Sequence, residues 1–188
     1  FKFIRMNLED RNNLPKLLSF ESNKRDIGFI HISTDYVFGD DKHGPHKPNN
    51  KKNPQNYYGL TKSQGEDEIL LNHKNPLIIR LASVFSKYKI NFIKKIIELI
   101  YNNKIINVVS DQKISITNAN IFSKNLKSFI NFYNNKQQNN FNSNIIHFTD
   151  IGYTTWYDVS LQILEAIREL DPTIDCKINP IKAIEWKS

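Results

Sequence analysis

Short apolar runs alternate along the chain with longer stretches in which apolar residues recur every three or four positions. The runs at 27–32, 76–81, 105–109 and 145–148 have the length of buried strands. The stretches at 7–22, 57–71, 91–101, 122–133 and 155–170 have the spacing of amphipathic helices. Because strands alternate with helices, the pattern predicts an α/β fold with a parallel sheet.

Polar segments and helix signals mark the ends of these elements. The segment 40–56 is rich in proline, asparagine and lysine, and 134–144 is a polar low-complexity stretch, so both are predicted loops. Thr155 and Asp158 have the spacing of a helix cap. Pro15 lies inside the first predicted helix and weakens that prediction unless the helix begins close to it. No repeat or shift in composition divides the chain, so we expect one α/β domain over 1–188.

Composition and charge exclude several classes of protein. The net charge of +7 comes from scattered lysines without an aromatic and basic stripe, so no nucleic-acid partner is predicted. No apolar run approaches 18 residues, and the sequence begins at Phe1 without a signal-peptide pattern, so neither a membrane span nor export is predicted. Cys176 is the single cysteine, which excludes a disulfide scaffold and fits the reducing cytoplasm.

The candidate chemistry lies where the first apolar run ends. Ser33 and Thr34 end that run, and a Tyr-x-x-x-Lys motif at Tyr58 and Lys62 follows on the next predicted helix. Residues four apart share a helix face, and an ammonium group lowers the pKa of a nearby phenol from its ordinary value near 10. The combination indicates proton transfer to a carbonyl or alcohol oxygen, although Tyr-x-x-x-Lys alone is more often a surface contact.

Other polar residues have simpler interpretations. Lys62 and Glu66 have the spacing of an ordinary helix-surface pair. His31 is expected to be a histidine of the sheet face, and His43 and His46 are expected to lie in a solvated loop. No metal site is predicted from these residues.

A glycine-rich nucleotide-binding turn is absent from the sequence. No three of the six glycines fit Gly-x-Gly-x-x-Gly. A βαβ unit needs roughly 30 residues, which is more than the segment before Ile27 offers. We therefore expect a proton-transfer portion that lacks its N-terminal glycine-rich half.

Five segments, in order and approximate spacing, resemble the dTDP-4-dehydrorhamnose reductases, which are extended short-chain dehydrogenase/reductases. They are 30–38 (IHISTDYVF), 58–62 (YGLTK), 77–80 (LIIR), 108–112 (VVSDQ) and 155–158 (TWYD). The likeness extends over about 27–170. It implies a Rossmann-type fold, N-terminally truncated, with a substrate-binding portion at about 110–188.

The resemblance also implies an activity and assigns roles to residues. NADPH or NADH would reduce the C4 ketone of dTDP-4-dehydro-6-deoxy-L-mannose to give dTDP-L-rhamnose. Tyr58 would donate the proton, Lys62 would tune it and hold the nicotinamide ribose, and Thr34 would orient the substrate and help to set the phenol's pKa. The implied cofactor contacts are Tyr58, Lys62 and Ser33, and the implied substrate contacts are Thr34, Asp35, Tyr36 and Ser83.

Two departures from the family pattern concern substrate recognition. Ser83 stands where the family usually has a tryptophan. Ile114 and Ile116 replace a glycine and a proline after the Asp111–Gln112 pair, so this loop is expected to have a different shape.

Two alternatives remain open beside an active reductase. One is a non-catalytic nucleotide-binding subunit that resembles the regulatory subunit of methionine adenosyltransferase. The other is an inactive fragment, which a complementing N-terminal fragment would complete. The presence of Thr34, Asp35, Tyr58 and Lys62 favours the reductase. The resemblance further allows a homodimer and Mg²⁺, for which the sequence offers no specific residues.

Overall fold

The computed structural model describes residues 13–39, 44–135 and 143–186. The chain divides into two compact units, one from 1–82 and 124–148 and the other from 83–123 and 149–188. The expected substrate-binding portion at about 110–188 is thus shared between them. The expectation of one α/β domain over 1–188 stays a prediction.

The helices and strands have the following bounds. The helices are α1 (Asn13–Lys24), α2 (Tyr57–Asn72), α3 (Phe92–Asn102), α4 (Ala119–Lys124), α5 (Leu126–Asn134) and α6 (Trp156–Leu170). The strands are β1 (Ile30–Thr34), β2 (Leu77–Leu81), β3 (Val84–Phe85), β4 (Ile105–Val109), β5 (Lys113–Ile114), β6 (Thr117–Asn118), β7 (Ile145–Phe148), β8 (Thr154–Thr155) and β9 (Lys177–Ile181). Short 3₁₀ turns occupy Asp35–Val37 and Ala183–Glu185.

Most predicted elements are confirmed with small shifts at their ends. The run at 27–32 forms a strand that begins later and extends to Thr34. The helical stripe at 122–133 is divided, because Asn125 separates α4 from α5. Pro15 lies in the first turn of α1, where a missing N–H costs little. Residues 7–12 of the predicted first helix, and much of the loop at 134–144, lie outside the described residues.

The first unit contains a parallel sheet with the order β1-β2-β7. Its central strand β2 is buried at every position, as expected for a parallel strand that is covered on both faces. The register places Thr34 beside Leu81 and Arg80 beside His147. The predicted parallel α/β sheet is confirmed in this unit.

The second unit has a core of its own. The strands β4 and β9 pair in parallel, and α3 and α6 pack with them. The core residues are Ile96, Ile100, Ile106, Val108, Leu164, Ile167, Cys176 and Ile178. The predicted cap of α6 is confirmed, because the Thr155 hydroxyl accepts a hydrogen bond from the Asp158 N–H at 3.0 Å.

A buried ion pair joins the helix α2 to the strand β2 in the first unit. Glu66 is 0% exposed and Arg80 is 2% exposed. The guanidinium donates from Nε to Oε1 at 2.9 Å and from Nη2 to Oε2 at 2.7 Å, which is a bidentate arrangement. This corrects the expectation that Glu66 forms a helix-surface pair with Lys62.

The other polar atoms of this pair also have partners. The Ser33 hydroxyl donates to Glu66 Oε1 at 2.6 Å. Arg80 Nη1 donates to the Pro48 carbonyl at 3.1 Å, and the Lys52 ammonium lies 3.5 Å from Glu66 Oε2. Burial alone would raise the pKa of Glu66, but hydrogen bonds from Arg80 and Ser33 and the charges of Arg80 and Lys52 hold it below its ordinary value.

The replacement Arg80→Met should destabilise the protein by about 3–5 kcal/mol, because it leaves the Glu66 carboxylate buried without its main partner. Urea unfolding followed by circular dichroism measures this change. The double variant Glu66→Met/Arg80→Met should lose clearly less than the single variants Glu66→Met and Arg80→Met together. As a control, Lys95→Ala breaks an exposed pair with Glu98 and should cost less than about 1 kcal/mol. Equal losses for Arg80→Met and Lys95→Ala would contradict the central role of the buried pair.

Candidate active site

The carboxyl end of β1 presents Thr34 in a tight turn. Its hydroxyl accepts from the Tyr36 N–H at 3.3 Å and donates to Asp35 Oδ1 at 3.1 Å. The side chain is only 7% exposed. The hydroxyl is therefore held in one place at the end of a parallel strand, where ligands of such sheets bind.

Asp35 and Tyr36 follow Thr34 in this turn. Burial raises the pKa of Asp35 above its ordinary value, although the hydrogen bond from Thr34 opposes the change. Burial also raises the pKa of Tyr36, and the nearby Asp35 adds to that effect. The Tyr36 ring meets the Tyr58 ring edge-on, with 5.8 Å between centroids. The structure thus brings two predicted substrate contacts together with the predicted proton donor.

The first turn of α2 is held close to this turn by two residues. Asn56 caps the helix by accepting from the Gly59 N–H at 2.8 Å. A Cβ atom at Gly59 would overlap the Tyr36 carbonyl oxygen. Glycine is therefore required here for the close approach, and sequence reasoning missed this role. The signal was a glycine inside a predicted helix, where it costs about 1 kcal/mol relative to alanine.

Tyr58 and Lys62 lie one helical turn apart on α2. The Tyr58 side chain is 51% exposed, and the neighbouring Tyr57 is 74% exposed. The Lys62 ammonium donates to the Ile32 carbonyl at 3.0 Å. Burial lowers the pKa of Lys62, whereas the Glu66 carboxylate acts in the opposite direction.

His31 lies on β1, close to the Lys62 side chain of α2. Its Nε2 is buried and has no hydrogen-bond partner among the residues that the structure describes. Burial, with the Lys62 charge as a second cause, lowers the pKa of His31 to about 4, although the Glu66 charge opposes this. The imidazole is therefore neutral near pH 7, which agrees with a histidine of the sheet face.

Two other predicted site residues have different surroundings. Ser33 is 4% exposed and its hydroxyl is bonded to Glu66, so its contact with a cofactor stays a prediction. Ser83 belongs to the second unit and has a φ of 40°, which is uncommon for a residue other than glycine. It lines a small pocket of about 70 Å³ with Phe92, Trp156 and other apolar residues.

The loop in which Ile114 and Ile116 replace the family's glycine and proline is now defined. Ile114 pairs with Thr154 between β5 and β8, which are antiparallel. The Ile116 carbonyl accepts from the Asp150 N–H at 2.9 Å. Neither isoleucine has a positive φ, so extended pairing gives this segment its shape.

Metal and membrane sites gain no support. Within 13–39, 44–135 and 143–186, no three His, Cys, Asp or Glu side chains are grouped to hold a metal ion. His46 instead stacks on Phe38 with 4.3 Å between ring centroids, and His43 lies outside the described residues. The proposed Mg²⁺ has no support from these side chains. None of the described helices is both long and apolar enough to cross a bilayer.

The parallel sheet with flanking helices defines a Rossmann-like α/β class of protein, and comparison with known proteins agrees. Residues 11–187 match the family described as RmlD substrate binding domain. The chain belongs to this family, and the resemblance inferred from the sequence is confirmed.

Three known proteins illustrate the similarity. A dTDP-4-dehydrorhamnose reductase of Sinorhizobium fredii is 29% identical over 160 residues, which are 85% of this chain and 53% of the relative. The crystal structure of a Clostridium acetobutylicum reductase of the same name has a TM-score of 0.78 and 27% identity, over 92% of this chain and 57% of the other. A Bacillus anthracis reductase in complex with NADP has a TM-score of 0.73 and 24% identity, over 95% and 62%. The chain spans about half the length of the curated relatives it matches.

The replacement Gly59→Ala should destabilise the protein despite the better helix propensity of alanine, because the new methyl group overlaps the Tyr36 carbonyl. The matched control is Gly65→Ala on the same helix, whose Cβ would lie 3.2 Å from the Pro15 side chain. We expect Gly59→Ala to lower the free energy of unfolding by about 1–3 kcal/mol, and we expect a smaller loss for Gly65→Ala. Thermal unfolding measures both, and an equal or smaller loss at Gly59 would contradict the close approach.

Stability should fall as the pH falls from 6.5 towards 4, in part because of His31. Its pKa is lowered on folding from 6.5 to about 4, so the unfolded chain binds more protons in this window. At most about 3.5 kcal/mol is lost, since one pKa unit corresponds to ~1.4 kcal/mol. Glu66, whose ordinary value is 4.5, loses its stabilising contribution only at lower pH.

The replacement His31→Gln isolates this effect from other groups. At pH 7.5, the difference in unfolding free energy between the parent protein and His31→Gln gives the cost of the packing that the variant loses. Urea unfolding at a series of pH values should show this difference shifting in favour of the variant as the pH falls. Parallel curves from pH 7.5 to pH 4 would show that His31 does not titrate as the structure implies.

Proposed function

We propose that this chain is the proton-transferring and substrate-binding portion of a cytoplasmic NAD(P)H-dependent reductase. Its reaction is the reduction of the C4 ketone of dTDP-4-dehydro-6-deoxy-L-mannose to dTDP-L-rhamnose. The observation that supports this most directly is the approach of the Tyr58 end of α2 to the Thr34–Tyr36 turn, which Gly59 permits. Membership of the reductase family supports the same conclusion.

When bound, a nicotinamide dinucleotide would supply the hydride for C4 of the sugar, and Tyr58 and Lys62 would lie at its nicotinamide end. Tyr58 donates its phenolic proton to the C4 oxygen, so that the carbonyl becomes a hydroxyl and the phenol becomes a phenolate. Lys62 carries a positive charge on the same helix face and favours that phenolate. Thr34 orients the sugar oxygen from the end of β1. The hydride and proton together account for both atoms that the ketone gains.

The residues present fit one end of the dinucleotide. An ammonium has three donors, and Lys62 uses one on the Ile32 carbonyl, which leaves others for ribose hydroxyls. The sequence has no Gly-x-Gly-x-x-Gly turn for the pyrophosphate. The chain thus supplies the nicotinamide end of the cofactor site, and contacts to the pyrophosphate belong to another segment. NADPH is favoured over NADH by the Bacillus anthracis reductase bound to NADP.

Substrate recognition is assigned first to the turn that follows β1. The half-buried Asp35 and the exposed Tyr36, whose ring meets that of Tyr58, are proposed to contact the sugar. Ser83 is proposed to replace the contact of the family's tryptophan with a smaller, polar side chain. The regulatory-subunit alternative is less well supported, because Thr34, Tyr58 and Lys62 are all in place. A homodimer stays a proposal.

A titration of the purified chain with NADPH, followed by fluorescence, tests the cofactor assignment. We expect saturable binding, and we expect Lys62→Met to weaken it at least about tenfold, because charge-assisted hydrogen bonds to the ribose are lost. Lys87→Met changes a lysine whose ammonium lies over the Tyr88 ring, and it should bind NADPH like the parent. Binding that is equally strong in both variants would contradict the role of Lys62.

Turnover with the dTDP-sugar tests the role of Tyr58. The replacement Tyr58→Phe should reduce the rate by about 10²–10⁴, the usual contribution of a general acid, with an unchanged circular dichroism spectrum. Tyr57→Phe, on the next residue, should keep the parental rate. Full activity of Tyr58→Phe would refute the assignment. If the parent binds the cofactor but does not turn over, the chain is not active alone.

A further inference from the structure

The segment 44–56 follows the turn at the end of β1 and leads directly into α2, so we name it the connecting segment. It is held against the first unit by specific hydrogen bonds. The Asn53 N–H donates to the Val37 carbonyl at 2.9 Å. The Lys52 ammonium donates to the Ser63 carbonyl of α2 at 2.7 Å. The connecting segment is therefore docked on the first unit near both parts of the candidate active site.

Phe38 is the centre of a second set of contacts that hold this segment. The His46 ring of the connecting segment stacks on it with an angle of 6° between the planes. The His147 ring of β7 meets it edge-on, with 5.7 Å between centroids. The guanidinium carbon of Arg80 lies 4.9 Å from the same ring centroid. Two imidazoles and a guanidinium thus surround one buried aromatic ring.

His147 joins β2 to the connecting segment. Its Nε2 lies 3.4 Å from Arg80 Nη1. Because a guanidinium can only donate, Nε2 accepts this hydrogen bond and carries no proton. The ring also makes a hydrogen bond with the backbone of His46. A proton on Nε2 would remove the acceptor and place a second positive charge beside the Arg80 guanidinium.

The charges around His147 decide how this contact responds to pH. Burial lowers the pKa of His147 below its ordinary value of 6.5, and the charges of Arg80 and His46 act in the same direction. The Glu66 charge and the hydrogen bond to the His46 backbone oppose this change. Asp35 interacts with His46. Since docking lowers the pKa, a released segment binds more protons below pH 6.5, and acidification favours release.

We propose that His147 is a positioning residue whose neutral imidazole holds the connecting segment against the sheet and whose protonation releases it. Release loosens the connection between the Thr34–Tyr36 turn and the Tyr58 end of α2. Only the importance of that connection for the reaction rests on the proposed function. The hold itself rests on the contacts of His147 with its three neighbours, Arg80, Phe38 and His46.

Amide hydrogen exchange in the complete chain tests the release, with each rate divided by the intrinsic rate at the same pH. As the pH falls below 6.5, the Asn53 amide should lose protection by about tenfold for each unit by which docking lowers the pKa of His147. The Ile78 amide, which lies in the sheet, should stay far better protected at every pH. Protection of Asn53 that does not change with pH would overturn the proposal. Equal protection of Asn53 and Ile78 would also overturn it, because the segment would then open only with the whole protein.

The replacement His147→Gln separates the hold from its response to pH. Glutamine is neutral throughout, and its amide has the acceptor and the donors needed for the same two hydrogen bonds. The variant should therefore protect Asn53 nearly equally at pH 7.5 and pH 5.5. The control His31→Gln should keep the parental pH dependence at Asn53. An equal loss of protection in His147→Gln and the parent would assign the release to another group and overturn the proposal.

A measurement on the parent chain keeps the test independent of any variant. The His147 ring, followed by NMR, should titrate below pH 6.5, and the distance below that value should match the logarithm of the protection that Asn53 loses. A ring that titrates at or above pH 6.5 would refute the proposal.

The titration with NADPH tests the proposed function separately. A pH-dependent hold at His147 in a chain that does not bind NADPH would support the hold and count against the proposed function. Saturable NADPH binding with pH-independent protection of Asn53 would refute the hold alone. The two proposals therefore fail on different measurements.

Discussion

The buried pair of Glu66 and Arg80 is the interaction on which the first unit depends. It joins the third turn of α2 to the central strand β2. The Ser33 hydroxyl and the Pro48 carbonyl add hydrogen bonds to the pair, and the Lys52 ammonium adds a nearby charge. Moving two charges out of water costs free energy. A buried ion pair is stable only when nearly all of its donors and acceptors have partners. This requirement fixes the rotation of α2 about its axis.

The active-site geometry follows from this fixed rotation. Glu66 lies four residues after Lys62, which lies four residues after Tyr58, so the three share one helix face. Anchoring the buried end of that face to Arg80 directs Lys62 to the edge of β1 and brings Tyr58 to Tyr36. Gly59 then sets how closely the helix approaches the turn. The residue that anchors the helix and the residues proposed for proton transfer therefore occupy neighbouring positions of one helix face.

Sequence reasoning recovered the parts of the fold that depend on long apolar patterns. The strand at 105–109 and the helix from Tyr57 were predicted almost to the residue, because their burial follows their periodicity. The two-residue strands and β9 were missed, since pairing rather than hydrophobicity defines them. Arg80 within an apolar strand was the available signal for the buried pair, but a charge in a strand does not reveal its partner. The motif located Tyr58, whereas the contact at Gly59 depends on backbone geometry that sequence does not show.

The order of the strands along the chain has a consequence for biosynthesis. In the sheet of the first unit, β7 pairs with β2, and it is synthesised only after about half of the second unit has been made. At about 5–20 residues per second, ribosomes need roughly 3–13 s for the intervening segment. During that interval the apolar strand β2 has one unpaired side, and the nascent chain is a natural substrate for chaperones that bind extended apolar segments.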